Sequence, residues 1–131
     1  MPTKQIDAAH PLVLIGDDCA VTRALVSGIV VRHGFRCLLA ANGRTVLALT
    51  RNHRPDVIIL DINMPEMDGL RVLKSVREVE STRHIPVLLL SASADPNAVM
   101  EGLRLGANDY LVKPFNATEL VARLEHALRR A

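Results

Sequence analysis

The chain has no tryptophan, one tyrosine and two phenylalanines among 131 residues. So little aromatic surface excludes a stacking platform for single-stranded nucleic acid. A net charge of one sign is nearly absent too. The formal value is +2, too small to argue for direct nucleic-acid binding by this chain. No apolar run approaches the roughly 20 residues of a membrane span. Residues 1–11 are polar and lack the apolar core of a signal peptide. The expected location is therefore cytoplasmic, with no membrane partner. The two cysteines, Cys19 and Cys37, have no metal-ligand spacing and read as reduced thiols. Cys19 follows two acids, whose charge is expected to raise its pKa and blunt its reactivity. His10, His33, His53, His84 and His126 are scattered without metal spacing, so they read as surface or helix-end residues. No repeat, low-complexity tract or internal linker interrupts the chain.

What is present fits one globular domain. Hydrophobic residues make up 49% of the chain, and the length suffices to bury a core. Apolar runs occur near 12–16, 37–40, 57–60, 86–90 and 110–112. They are short and continuous rather than alternating, as expected for strands buried on both faces of a parallel sheet. Segments of helical period lie between them. Val21, Leu25 and Ile29 recur every four residues, and Gly34 follows as a stop. Val46 and Leu49 mark a second helix after Asn42-Gly43. Leu70, Leu73 and Val76 mark a third, with Asp68 as its cap and Gly69 easing the turn. Val99 and Leu103 mark a fourth, between Pro96 and Gly106. Leu120, Leu124 and Leu128 mark a fifth, which Asn116 caps with Glu119 in capping-box position. Glu119 with Arg123, and Glu125 with Arg129, form favourable four-residue pairs. The basic pair Arg129-Arg130 sits where cations suit a helix end.

Five strands alternating with five helices imply an α/β doubly wound open sheet. Ligands of such sheets bind beyond the carboxyl ends of the strands, where the strand order reverses. In the order 2-1-3-4-5 that point lies between strands 1 and 3. Strand 1 leads through Gly16 into Asp17-Asp18, and strand 3 leads into Asp61. Strand 4 leads into Ser91 and strand 5 into Lys113. One edge would then carry three carboxylates, a hydroxyl and an ammonium. A charged carboxylate directly after four apolar residues is costly unless it faces a cleft. Adjacent acids of this kind repel one another without a cation, and Mg²⁺ suits them because it takes a few oxygens and keeps several waters. The set suits divalent metal binding and phosphoryl transfer.

Four segments carry a resemblance over residues 11 to 130. They are Gly16-Asp17-Asp18; Asp61 through Gly69, read as DINMPEMDG; Pro86 through Ala92, read as PVLLLSA; and Gly106 through Phe115, read as GANDYLVKPF. In this order, each at a strand end, they make the chain similar to the receiver domain of bacterial two-component response regulators. The resemblance implies a flavodoxin-like (βα)5 fold, with residues 1–10 an N-terminal extension and 11–131 the receiver domain. It implies that Asp61 is the phosphoacceptor, and that Asp18, Asp61 and the backbone carbonyl of Asn63 bind Mg²⁺ directly, with Asp17 acting mainly through water. Lys113 would neutralise phosphoryl oxygens, next to a cis bond to Pro114. Ser91 would be the switch hydroxyl, more often Thr in the family. Lacking the methyl, its rotamer is less restricted, so the free state should sample the active-like position more often. Tyr110 would be the switch aromatic that turns inward on activation.

The implied function is acceptance of a phosphoryl group from a histidine kinase or a phosphotransfer protein. Output would follow through the face of the fourth helix, fifth strand and fifth helix, toward a docked target or an output domain beyond Ala131. The fifth helix resembles that of receivers joined to winged-helix DNA-binding domains. The chain would assist its own phosphorylation and dephosphorylation without being a turnover enzyme. Two other classes compete. A haloacid-dehalogenase-like phosphatase would need a second Asp two residues after the nucleophile, and that residue is Asn63. A receiver fold used only as a binding scaffold would not need the intact set Asp17, Asp18, Asp61, Ser91 and Lys113.

Overall fold

The structure is a computed structural model and describes residues 10–130. The expected N-terminal extension, residues 1–9 with His10 excepted, lies outside the described residues, as does Ala131. Strands and helices alternate: β1 (Leu12–Gly16), α1 (Ala20–Arg32), β2 (Arg36–Ala40), α2 (Gly43–His53), β3 (Val57–Asp61), α3 (Gly69–Glu78), β4 (Val87–Ser91), α4 (Pro96–Arg104), β5 (Asp109–Val112) and α5 (Ala117–Arg130). All strand pairs are parallel, in the order β2-β1-β3-β4-β5.

Alternation along each strand divides the core in two. Val13, Ile15, Ile59, Leu88 and Leu90 face one side, against Val26, Ile29 and Val30 of α1 and Leu120 and Leu124 of α5. Leu14, Ile58, Leu60 and Leu89 face the other, against Val46 of α2 and Val72, Leu73 and Val76 of α3. β3 and β4 are buried along their whole length, whereas β2 is partly exposed as an edge strand. Truncating a central residue such as Ile59 to Ala removes core contacts on one face and should cost about 2–5 kcal/mol.

The expected caps at Asp68 and Asn116 are present, and Asn42 supplies a third. The side-chain oxygens of Asn42, Asp68 and Asn116 accept the backbone N–H of Thr45, Arg71 and Glu119 at 2.9, 2.9 and 2.8 Å. Gly34 and Gly106 sit at φ +89° and +109°, which favours glycine. Gly69 needs a different explanation from an eased turn. A Cβ there would press on the Asp61 carbonyl oxygen and lie 2.8 Å from Ile62 Cα. Its role is close backbone approach, which lets α3 start directly behind the end of β3.

Two helical stripes differ from expectation. Val21 and Leu25 recur at helical spacing but are 77% and 56% exposed, and α1 packs through Val26, Ile29 and Val30 instead. Apolar residues lie on both sides of this helix, so periodicity alone does not choose the inner one. In α4, Leu103 is exposed and Val99 only half-buried. The buried residue is Gly102, where an added Cβ would come 2.7 Å from a Leu89 methyl. α4 approaches the sheet through a residue with no side chain. Among the described residues, no helix is long and apolar enough to cross a membrane. His10, His33, His53, His84 and His126 are all exposed, as expected.

Candidate functional site

The strand register brings the expected groups together. Gly16 pairs with Leu60, Asp61 with Leu90 and Ser91 with Val112, so Asp17, Asp61, Ser91 and Lys113 all emerge at the C-terminal edge of the sheet. Asp17 and Asp61 are buried and Asp18 is exposed. One carboxylate oxygen from each of the three lies within 4.8 Å of the others. Lys113 Nζ reaches over this group, 3.3 Å from Asp61 Oδ1 and 3.4 Å from Asp17 Oδ2. Its peptide bond to Pro114 is cis.

Asp17 is held in place. Its Oδ1 accepts the Cys19 N–H at 2.9 Å, and its carbonyl accepts a bond from Arg23 Nη1 at 2.7 Å. Asp61 is held more loosely, since the Asn63 N–H donates to its Oδ1 at 3.4 Å. Burial lifts the Asp61 pKa above the ordinary carboxylate range, and the charge of Asp17 adds to this. Lys113 opposes both but does not cancel them. For Lys113 itself burial favours the neutral amine, yet Asp61 and Asp17 more than offset that and hold its pKa above the usual value. One ammonium is thus shared among acids that outnumber it. Three carboxylates at such separations fit a small divalent cation with oxygen ligands at about 2.0–2.1 Å.

Ser91 is buried at the end of β4, and its Oγ accepts the Ser93 N–H at 3.1 Å. Tyr110 is buried, and its hydroxyl donates to the Ser93 carbonyl at 3.1 Å.

Cys19 departs from expectation. It is exposed and stands at the N-cap of α1 without a side-chain capping bond. The Thr22 N–H, then the Thr22 hydroxyl and the Val21 N–H, stabilise its thiolate and lower its pKa. Burial and the charge of Asp17 raise it, but by less. The donors of the helix N-terminus outweigh the neighbouring acid. The sequence reading also missed Arg23 and Ser93. Neither sits in a strand-end run, and both act through backbone groups that leave no mark in a motif.

The family profile described as "Response regulator receiver domain" matches residues 13–125. Among curated relatives, the regulatory protein AtoC of Escherichia coli is 42% identical over 89% of this chain and 25% of its own length. The chain spans about half the length of several other curated relatives it matches. Among solved structures, the chemotaxis protein CheY4 of Vibrio cholerae superposes with a TM-score of 0.86 at 39% identity, covering 92% of this chain and 100% of that one. The receiver domain of the sensor histidine kinase PA1611 from Pseudomonas aeruginosa, solved with a magnesium ion coordinated in its active-site cleft, has a TM-score of 0.86 at 29% identity, covering 92% and 99%. A five-stranded sheet in the order 2-1-3-4-5, its carboxylates gathered at the switch point, and a match along nearly the whole length place this chain in the response regulator receiver domain family.

Proposed function

We propose that Asp61 accepts a phosphoryl group from a phosphohistidine on a histidine kinase or phosphotransfer protein, in a Mg²⁺-dependent reaction. The observation that carries this reading is the placement of Asp61. It is buried at a strand end, within 4.8 Å of two further carboxylates and 3.3 Å from an ammonium. An Asp61 carboxylate oxygen attacks phosphorus and forms a P–O bond. The P–N bond to the donor breaks, and the leaving imidazole keeps the electron pair and takes a proton. Asp18, Asp61 and the Asn63 carbonyl would hold the metal, with Asp17 acting mainly through water. When bound, Mg²⁺ offsets the charge of the acids and of the incoming phosphoryl oxygens. This agrees with the magnesium in the related receiver domain of PA1611.

Lys113 then shifts its charge toward one phosphoryl oxygen. Ser91 offers its hydroxyl proton to another. Tyr110 stays inward and marks the signalling-competent face of α4, β5 and α5, which docks a target or an output domain. The domain assists its own phosphorylation and dephosphorylation and turns over no outside substrate. It acts in the cytoplasm.

Incubation with acetyl phosphate and Mg²⁺, followed by intact mass and site mapping, tests the assignment. Label should map to Asp61, and Asp61→Asn should abolish it. Undiminished labelling of that variant contradicts the reading.

A further inference from the structure

Arg23 stands at the wrong end of its helix. It belongs to the opening of α1, whose first turn carries no acidic residue. A cation there faces the positive end of the helix dipole and is disfavoured. Its hydrogen bonds give the compensation. Its backbone N–H donates to the Cys19 carbonyl at 2.9 Å, where the helix begins. Its Nη1 donates to the Asp17 carbonyl at 2.7 Å. The Cys19 N–H in turn donates to Asp17 Oδ1 at 2.9 Å. Asp17, Cys19 and Arg23 thus close a ring of hydrogen bonds, and Asp18 sits between two pinned residues.

The sheet anchors this loop from the other side. The Asp17 N–H donates to the Ala40 carbonyl at 3.1 Å, at the end of β2. That bond fixes where the chain leaves β1, but not which way Asp18 points. The direction of Asp18 follows the peptide plane between Asp17 and Asp18, and the Asp17 carbonyl oxygen lies in that plane. A guanidinium bonded to this oxygen therefore holds the plane. Asp18 is exposed, and yet one of its carboxylate oxygens stays within 4.8 Å of oxygens from Asp17 and Asp61. The charges felt by the Asp61 carboxyl are those of Asp17 and Lys113. Arg23 acts on the site through a main-chain oxygen and not as a counter-ion.

We infer that Arg23 is a positioning residue for the acidic site: its guanidinium holds the Asp17–Asp18 peptide so that the Asp18 carboxylate stays turned toward Asp61. The inference rests on the reading of Asp17, Asp18 and Asp61 as a Mg²⁺ site. Two effects of Arg23 on a bound cation oppose each other. Its positive charge repels the cation and weakens binding. Its hydrogen bond pre-orders a ligand and strengthens binding. Arg23 is only half-buried, so solvent screens its charge. Partners that orient a metal ligand from behind are worth about 10–100-fold in affinity. The orienting effect therefore wins, and the sign of the change on mutation separates the two.

The test is a Mg²⁺ titration of the whole chain, followed by backbone amide shifts. The wild-type protein should respond at Asp18, Asp61 and Asn63. Arg23→Met keeps the apolar stem but loses both donor and charge. It should bind Mg²⁺ about tenfold more weakly, although loss of the charge alone would tighten binding. Arg23→Lys keeps the charge and a donor and should recover most of the affinity. Without metal, hydrogen exchange at the Cys19 amide should quicken in Arg23→Met, while the Asp17 amide, bonded to Ala40, stays protected. A general loss of stability would expose both amides alike. Arg23→Gln, with a shorter neutral side chain, gives the same readings where Arg23→Met does not fold. Unchanged or tighter Mg²⁺ binding in the neutral variants, or Arg23→Lys no better than Arg23→Met, would overturn the role of Arg23 alone. A wild-type protein that does not respond to Mg²⁺ would overturn the metal site and this inference with it.

Discussion

The two edges of the sheet are built on opposite principles. At the C-terminal edge, Asp17, Asp18 and Asp61 crowd around a single ammonium, and the buried Asp61 is pushed toward its neutral form. At the N-terminal edge, a partly buried guanidinium is matched by neutral acceptors, four oxygens from three carbonyls and one amide. Burial lowers the pKa of Arg77, yet it stays charged because its reference value is so high. One edge stores repulsion that a cation or a phosphoryl transfer can relieve. The other stores none and serves as a fixed base. The fold places stability and reactivity at opposite ends of the same strands.

The largest expected effect comes from breaking the quiet edge. Arg77→Met leaves the Gly106 and Ile85 carbonyls without a donor and leaves Asn108 Oδ1 only the Val87 N–H, so unfolding stability should drop by about 2–4 kcal/mol. Urea denaturation measures it. A drop below about 0.5 kcal/mol would mean that the clamp is ornamental and the two edges are alike.

A smaller effect of opposite sign is expected at the crowded edge. Asp61→Asn should stabilise the metal-free protein at neutral pH by about 1 kcal/mol. The sign follows from linkage. A carboxyl with a raised folded pKa binds more protons folded than unfolded, so wild-type stability falls as pH rises from the unfolded value near 3.8 through the folded one. Below that window the wild-type carboxyl is neutral in both states. The advantage of Asp61→Asn should therefore shrink as pH is lowered toward 4. An advantage independent of pH would show that repulsion is not its source.

Lys113→Ala sharpens the comparison on the functional side. It should still acquire phosphate from a small donor, but the amide response to beryllofluoride around Ser91 and Tyr110 should weaken, because the charge that draws the phosphoryl oxygens is gone. Wild-type shifts in that variant would contradict the role. The smallest effect concerns self-association through α4, β5 and α5. Arg123 is already engaged within the chain, with Asp109 at 2.6 Å and Glu119 at 4.0 Å. α4 offers Val99 and the exposed Met100 and Leu103 in place of charges that would fix a symmetric register. Light scattering should show little or no mass increase on beryllofluoride addition. A tight symmetric dimer appearing only then would mean that the ion pairs exchange partners between chains.

Much of this was legible in the sequence, for a physical reason. Strands buried on both faces must be continuously apolar, so the first polar residue after each run marks the strand end, and Asp17, Asp61, Ser91 and Lys113 are such residues or sit beside them. The caps at Asp68 and Asn116 were legible because a side chain satisfies a helix N-terminus over three residues. The inner face of α1 was not, since Val21 and Leu25 share the period of Ile29 and yet point outward. The seat of α4 was not, because a glycine adds nothing to an apolar stripe. Arg77 was not, because its partners are three main-chain carbonyls and one amide oxygen brought near by two separate loops. Cys19 was misjudged by weighing its acidic neighbours and not the N–H groups of its own helix.

The most direct measurement is the thermal melting of the wild-type protein and of Asp18→Asn, each with and without Mg²⁺. If the crowded edge is an acidic site awaiting a cation, wild-type protein melts higher with Mg²⁺, by an amount that grows with its concentration. Asp18→Asn then melts above the wild type without the metal, and gains little when it is added. A wild-type melting temperature indifferent to Mg²⁺, or an Asp18→Asn variant that responds to the ion as strongly as the wild type, would contradict the account.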